Sequence, residues 1–174
     1  MDTEQIKKVI FDDFTRTFCV LDGVMVPELP TTLFKAQVPH HCLLSGELSP
    51  ELANAAPYLA YLSPDSKFAD RVLTESFGKH WGIILQTRRS MAEMRRHFQA
   101  LLQAYDERGN PMKFRFYDPR VLSKFLPTCN GGELKTLFGD VDAFFTESSD
   151  GQGLIRYTIK DGKLEMKDLL KENR

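Results

Sequence analysis

The segment Pro57–Leu85, PYLAYLSPDSKFADRVLTESFGKHWGIIL, decides the fold prediction because two kinds of pattern alternate in it. Tyr58–Leu62 is a continuous apolar run of strand length, and Gly82–Leu85 is a second. Between them, Ser63-Pro64-Asp65 is typical of a helix start, and apolar residues then recur at helical spacing. The segment therefore predicts a strand, a helix over Asp65–Phe77 and another strand.

The residues before this segment predict further helices and one more strand. Phe18–Leu21 is an apolar run that stops at the turn pair Asp22-Gly23, which indicates a buried strand. A short helix is expected within 29–38, and Ser49-Pro50-Glu51 can start a helical turn. The first segment has apolar residues every three to four positions and predicts an amphipathic helix: Ile6, Val9, Ile10 and Phe14.

The clearest helix prediction follows the second strand of the opening segment. Ser90 and Glu93 form an S-x-x-E capping box, a typical helix start. A continuous apolar stripe then predicts a helix over Met91–Tyr105. We expect one face of this helix to be buried and the opposite face exposed: Met94, Phe98 and Leu101 inside, and Arg95, Arg96 and Gln99 outside.

The rest of the chain predicts strands and short helices. Phe114–Tyr117 and Ala143–Thr146 have the apolar character of strands, with two short helices between them over 121–138. Near the end, Asp161-Gly162 separates two apolar runs and is typical of a type I′ hairpin turn.

Strands that alternate with helices predict a single α/β domain over residues 1–174. We expect a mixed, mostly parallel central sheet with helices on both faces, because parallel neighbours need helical crossovers that cover the sheet. The C-terminal hairpin is expected to add an antiparallel edge.

The composition favours a globular, cytoplasmic protein. The chain has 174 residues, of which 42% are hydrophobic and 27% charged, and its net charge is −1. Nothing in this charge attracts nucleic acid or an anionic membrane. The first residues lack the apolar stretch of a secretory signal, and the three cysteines are widely spaced, which suggests a reducing compartment.

The motifs expected of an enzyme or a cofactor site are missing from the sequence. No GxGxxG, GxxxxGK[ST] or GxSxG occurs, so no cofactor and no small-molecule substrate is expected. His40-His41-Cys42 is more simply a loop than a metal site, and Asp12-Asp13 a solvated helix face. No catalytic residue is predicted, although three residues are of types that can serve as nucleophile or base: Ser76, His80 and His97.

Two features remain as candidates. The first, called here the arginine cluster, is Arg88, Arg89, Arg95 and Arg96, which fits either an acidic protein partner or a solvated helix face. The second is FRFYDPR at 114–120, in which Asp118 is a natural helix N-cap before Pro119. We expect a structural role for this motif, with Asp118 pairing an arginine; the residues assigned to that role are Trp81, Arg115, Asp118, Pro119 and Arg120.

The chain resembles the type VI secretion adaptor (chaperone) family, catalogued as domain of unknown function 4123. The resemblance covers about residues 19–147 and leaves 148–174 as a short C-terminal extension. Its most specific stretch is FRFYDPRVL at 114–122. The other matching stretches are LDG at 21–23, APYL at 56–59, WGIIL at 81–85, Ser90, HFQALL at 97–102 and LP at 126–127.

This resemblance implies a cytosolic adaptor that binds a toxic effector and helps to load it onto the VgrG spike of the secretion machine. It implies no enzymatic activity. The chain departs from the family pattern at Val24, where a small residue is more usual, and in its short region after Glu147. Two alternatives stay open: a small enzyme with an unidentified site, and an immunity-type protein that neutralises one toxin.

Overall fold

The computed structural model describes residues 3–105 and 108–169. Its helices are α1 (Thr3–Ile10), α2 (Leu29–Lys35), α3 (Pro50–Ala55), α4 (Lys67–Glu75), α5 (Met91–Leu101), α6 (Pro119–Phe125) and α7 (Gly131–Phe138), with a 3₁₀ turn at Leu126–Thr128. Its strands are β1 (Arg16–Asp22), β2 (His40–Cys42), β3 (Pro57–Leu62), β4 (Gly82–Thr87), β5 (Gln103–Tyr105), β6 (Pro111–Lys113), β7 (Val141–Glu147), β8 (Leu154–Lys160) and β9 (Lys163–Asp168).

Seven strands form one sheet in the order β2-β3-β1-β4-β7-β8-β9, and β5 pairs with β6 in a separate two-stranded sheet. Every neighbouring pair in both sheets is antiparallel. The prediction of a mostly parallel sheet was therefore wrong. β3 and β4 run in the same direction, as two strands joined by helix α4 can, but β1 lies between them and is antiparallel to both.

The sheet separates two apolar cores, and helices cover both of its faces. Alternate residues of one strand enter opposite cores, as the two-residue period of a strand requires. In β1, Cys19 and Leu21 pack with α1, α2 and α4, whereas Phe18 and Val20 pack with α5, α6 and α7. The central strands β1, β3 and β4 are nearly continuous apolar runs because both of their faces are buried.

Several predicted caps and turns are present. Ser90 and Glu93 form the capping box of α5, and the Asp118 side chain caps α6 with Pro119 at its first position. Ser49 caps α3. The hairpin of β8 and β9 turns through Asp161 and Gly162, whose φ angles of 50° and 74° are the positive pair of a type I′ turn.

Three predicted elements have different bounds in the structure. Helix α4 begins after Ser66, whose hydroxyl accepts a hydrogen bond from the Ala69 amide, and not after Ser63. Helix α5 ends at Leu101 because the chain then enters β5 and pairs with β6. Helix α1 ends at Ile10, so Phe14 is 86% exposed and does not belong to an apolar helix face.

Phe114–Tyr117 was predicted as a strand and is not one. The Asp118 amide donates to the carbonyl oxygen of Arg115 at 3.0 Å, which closes a turn directly before α6. Phe116 is nevertheless fully buried, and its ring stacks on that of Phe98 with centroids 5.1 Å apart. Phe116 thus fills the core from a turn.

Candidate functional site

One end of the sheet brings together four of the sequence motifs described above: LDG, APYL, WGIIL and FRFYDPRVL. The Asp22 amide at the end of β1 donates to the Trp81 carbonyl at 2.8 Å, and the Gly23 amide donates to the Ala56 carbonyl at 3.0 Å. The Asp22 carboxylate is buried and accepts a hydrogen bond from Arg115 Nη2 at 2.6 Å. Residues that are far apart in sequence therefore meet at one place. We call it the junction, and it is formed by Asp22, Gly23, Ala56, Trp81 and Arg115.

Asp118 extends this junction with a second buried carboxylate. Its two oxygens accept from Nε and Nη2 of Arg120 at 2.9 and 2.7 Å, and Arg115 Nη2 lies 3.6 Å away. Burial works to raise the pKa of Asp118, but hydrogen bonds and the positive charges of Arg120 and Arg115 outweigh it and hold that pKa below its usual value. Both guanidinium groups remain about half exposed.

Two glycines of the matching motifs permit close backbone approaches at this junction. A Cβ atom at Gly23 would lie 2.2 Å from the Asn54 carbonyl oxygen, and one at Gly82 would lie 2.0 Å from that of Val20. Any side chain would collide with backbone at both positions. The fold therefore requires glycine in both the LDG and the WG motif.

Two other residues that were predicted to have a structural role, Trp81 and Pro119, are also buried at the junction. Trp81 is 7% exposed, and the cationic groups of Arg71 and Lys79 lie 5.5 and 5.4 Å from its ring centroid. Pro119 is buried in the first turn of α6. Arg115 also lies over the Tyr117 ring, at 5.9 Å from its centroid.

The arginine cluster divides into two parts. Arg89 Nη2 lies 3.2 Å from Asp140 Oδ1, and its Nη1 lies 3.6 Å from Glu93 Oε1. Arg88 Nε lies 3.8 Å from Asp142 Oδ2. Since acidic groups surround Arg88 and Arg89, much of the positive charge of these two residues is balanced by the protein itself.

The other two arginines project from α5. Arg96 is exposed, whereas Arg95 is half-buried, which differs from the exposed position expected for it. Arg95 lies close enough to the β2 edge to act on His41: partial burial, followed by electrostatic repulsion from Arg95 and the neighbouring His40, lowers the pKa of His41. Partner binding by the cluster stays a prediction.

An open groove that sequence reasoning did not identify encloses about 760 Å³ beside the junction. We call it the apolar groove. Leu43, Pro57 and Tyr117 are its buried residues, while Leu52 of α3 and Met112 of β6 are 46% and 51% exposed. Its full lining is Leu43, Leu44, Ser45, Leu48, Leu52, Ala55, Pro57, Gln99, Leu102, Gln103, Met112, Lys113, Phe114, Arg115 and Tyr117.

The groove joins parts of the chain that gave weak sequence signals. One side comes from residues 43–48 and from α3, whose start at Ser49-Pro50 was predicted, and the other comes from the paired strands β5 and β6, which were not predicted. A hydrogen bond of 3.2 Å from Gln99 Nε2 to Ser45 Oγ connects α5 to the first side. The signal that could have revealed the groove is the series Leu43, Leu44, Leu48 and Leu52, in which the last three leucines are four residues apart but Gly46 and Pro50 interrupt the helical spacing.

Three of the histidines considered for chemistry, His40, His80 and His97, have hydrogen-bond partners within the protein. The His80 Nδ1 atom is hydrogen-bonded to the Glu147 carboxylate, which also accepts from the Gly78 amide at 2.5 Å. His97 Nε2 lies 3.0 Å from the Leu137 carbonyl oxygen, and His40 Nδ1 lies 2.6 Å from that of Val38. Within residues 3–105 and 108–169, no group of three or more His, Cys, Asp and Glu side chains could hold a metal ion.

Comparison with known families identifies the class of this protein. Residues 17–136 match the family model described as domain of unknown function, DUF4123. The chain belongs to this family. No curated protein and no solved structure shows significant similarity to the chain. In the part of the chain that the structure describes, no helix is both long and apolar enough to cross a membrane.

Proposed function

We propose that this protein is a cytoplasmic adaptor of a type VI secretion system. It binds a cognate effector and helps to load that effector onto a VgrG-type spike protein. Two lines of reasoning support the proposal. The chain belongs to the DUF4123 family and resembles the secretion adaptors, and four of the motifs that carry the resemblance meet at one end of the sheet.

The observation that carries the proposal is the apolar groove. Exposed aliphatic side chains on both of its sides, Leu52 and Met112, leave apolar surface in contact with water. Such surface marks a binding site when it is contiguous, because covering it releases water at a favourable free energy. A groove lined by aliphatic, aromatic, amide and basic groups suits a protein segment.

The proposal is tested by purifying the tagged protein from the bacterium that produces it and identifying co-purified proteins by mass spectrometry. We expect a VgrG-type spike and one large toxin, both absent from a control purification with the tag alone. Recovery of a toxin without the spike would support an immunity-type protein instead. Recovery of neither would contradict the adaptor function.

A further inference from the structure

The apolar groove carries an uneven charge. Among the residues that the structure describes, its lining includes two basic residues, Lys113 and Arg115, and no acidic residue. Arg115 is already paired with Asp22 at 2.6 Å. Among the described residues Lys113 has no ion-pair partner, and it is exposed at the groove. Within residues 3–105 and 108–169, the groove thus offers one positive charge without an acidic partner beside an apolar surface.

The backbone around the groove does not favour an added strand. Strand β6 has only three residues, and Pro111 at its start has no amide hydrogen to donate. A strand added to β6 would form few backbone hydrogen bonds. The groove instead presents side chains from both sides, which is the arrangement that receives the apolar face of an amphipathic helix.

We propose that the apolar groove binds an amphipathic helix of the cognate effector, with aliphatic residues against Leu52 and Met112 and a carboxylate facing Lys113. This inference rests on the proposed adaptor function and specifies its effector-binding site. The carboxylate is the complementary group because Lys113 would otherwise be partly desolvated without a counter-charge when the groove is covered.

The inference can be tested with two fluorescein-labelled helical peptides of 18 residues, measured by fluorescence anisotropy. Both carry leucines at positions i, i+3, i+4 and i+7; one has glutamates beside the leucines and the other has lysines. We expect the wild-type protein to bind the glutamate peptide at least about 10-fold more tightly. Lys113→Glu should remove or reverse this preference. Equal affinity for both peptides, or binding of neither, would overturn the inference.

Variants of the apolar side chains test the groove itself. Leu52→Asp should weaken binding of the glutamate peptide at least about 10-fold, since it places a charge within the apolar contact. Met166→Asp and Lys163→Glu are matched controls, because both residues are exposed on β9, at the opposite edge of the sheet. If Leu52→Asp does not fold, as judged by circular dichroism, Met112→Asp tests the other side of the groove. Groove variants that bind like the controls would contradict the site.

The same variants separate this inference from the adaptor function. They are measured against the full-length effector that co-purifies with the wild-type protein. An effector that binds the wild type but not Leu52→Asp or Lys113→Glu supports both proposals. An effector that binds all variants equally would place its site elsewhere and leave the adaptor function standing.

Discussion

Arg115 Nη2 lies 2.6 Å from the carboxylate of Asp22, a residue 93 positions earlier in the chain. This pair joins the end of β1 to the segment that follows β6. Arg115 and Tyr117 also line the apolar groove, so the shape of the groove depends on the junction. The most specific sequence motif of this chain therefore has a clear structural position: it fixes one part of a candidate binding surface to the central sheet.

Replacement of Asp118 tests how much this junction stabilises the fold. Asp118→Ala removes the cap of α6, which is the hydrogen bond from the Arg120 amide, and both hydrogen bonds from the Arg120 guanidinium. We expect it to lower the free energy of unfolding by about 2 kcal/mol. Asp118→Asn keeps an oxygen that can cap the helix and should cost about 1 kcal/mol. Urea denaturation measures both. A parent-like stability of Asp118→Ala, combined with lost partner binding, would show that the motif acts in recognition.

The cost of Asp118→Asn should also depend on pH. The pKa of Asp118 is lower in the folded protein than its usual value, so the ionised carboxylate stabilises the folded state above pH ~4. This contribution is lost as the pH falls through the folded-state pKa. The difference between wild type and Asp118→Asn should therefore be largest near neutral pH and shrink below pH ~4. A difference that stays constant from pH 7 to pH 3 would contradict the ion pairs.

Features that depend on local chemistry could be predicted from the sequence. The capping box of Ser90 and Glu93 and the Asp118-Pro119 helix start each involve neighbouring residues whose hydrogen bonds form within one turn. The order of the strands could not be predicted in the same way. The insertion of β1 between β3 and β4 depends on which long-range pairing buries most apolar surface, and one sequence pattern is compatible with several such pairings.

The apolar groove could not be predicted from the sequence for a related reason. Periodicity identifies residues on one helix or strand, whereas the groove combines Leu52, Met112 and Tyr117 from three separate parts of the chain. The apolar stripe of α5 was also misleading beyond Leu101, because Leu102 continues the apolar pattern although the chain leaves the helix there. Apolar character alone cannot distinguish a helix face from a short paired strand.

A steric prediction concerns Gly82. Gly82→Ala should lower stability by roughly 3 kcal/mol or more, because its Cβ would lie 2.0 Å from the Val20 carbonyl oxygen in the adjacent strand. Gly46→Ala is the control: no atom lies within 4 Å of its Cβ, so its cost is limited to the strain of a φ of 89°, about 1 kcal/mol. Equal thermal stability of the two variants would refute the close approach.

Two phenylalanines allow a comparison of core and surface. Phe98→Ala should cost roughly 3–5 kcal/mol, because the ring is fully buried against Phe116 and Phe144. Phe14→Ala should cost less than about 0.5 kcal/mol, since Phe14 is 86% exposed. Chemical denaturation distinguishes them. A loss below about 1 kcal/mol for Phe98→Ala would place that residue outside the core.

The arginine cluster is tested by association kinetics. If it faces an acidic partner, Arg96→Glu should slow association and reduce its dependence on ionic strength, while complex formation persists. Arg89→Glu should have a smaller effect, because Asp140 and Glu93 already balance part of the Arg89 charge. Surface plasmon resonance at two salt concentrations measures both variants. Unchanged association of a doubly reversed variant would assign the arginines to solvent.

The adaptor function is tested most directly by reconstitution from three purified proteins: this chain, the VgrG-type spike and the effector from the same bacterium. Sedimentation velocity reports the species formed by each pair and by the complete mixture. The adaptor account predicts a complex of all three proteins and no stable complex of spike and effector when this chain is left out. A spike–effector complex that forms equally well without this chain, or a mixture in which this chain binds neither protein, would contradict the account.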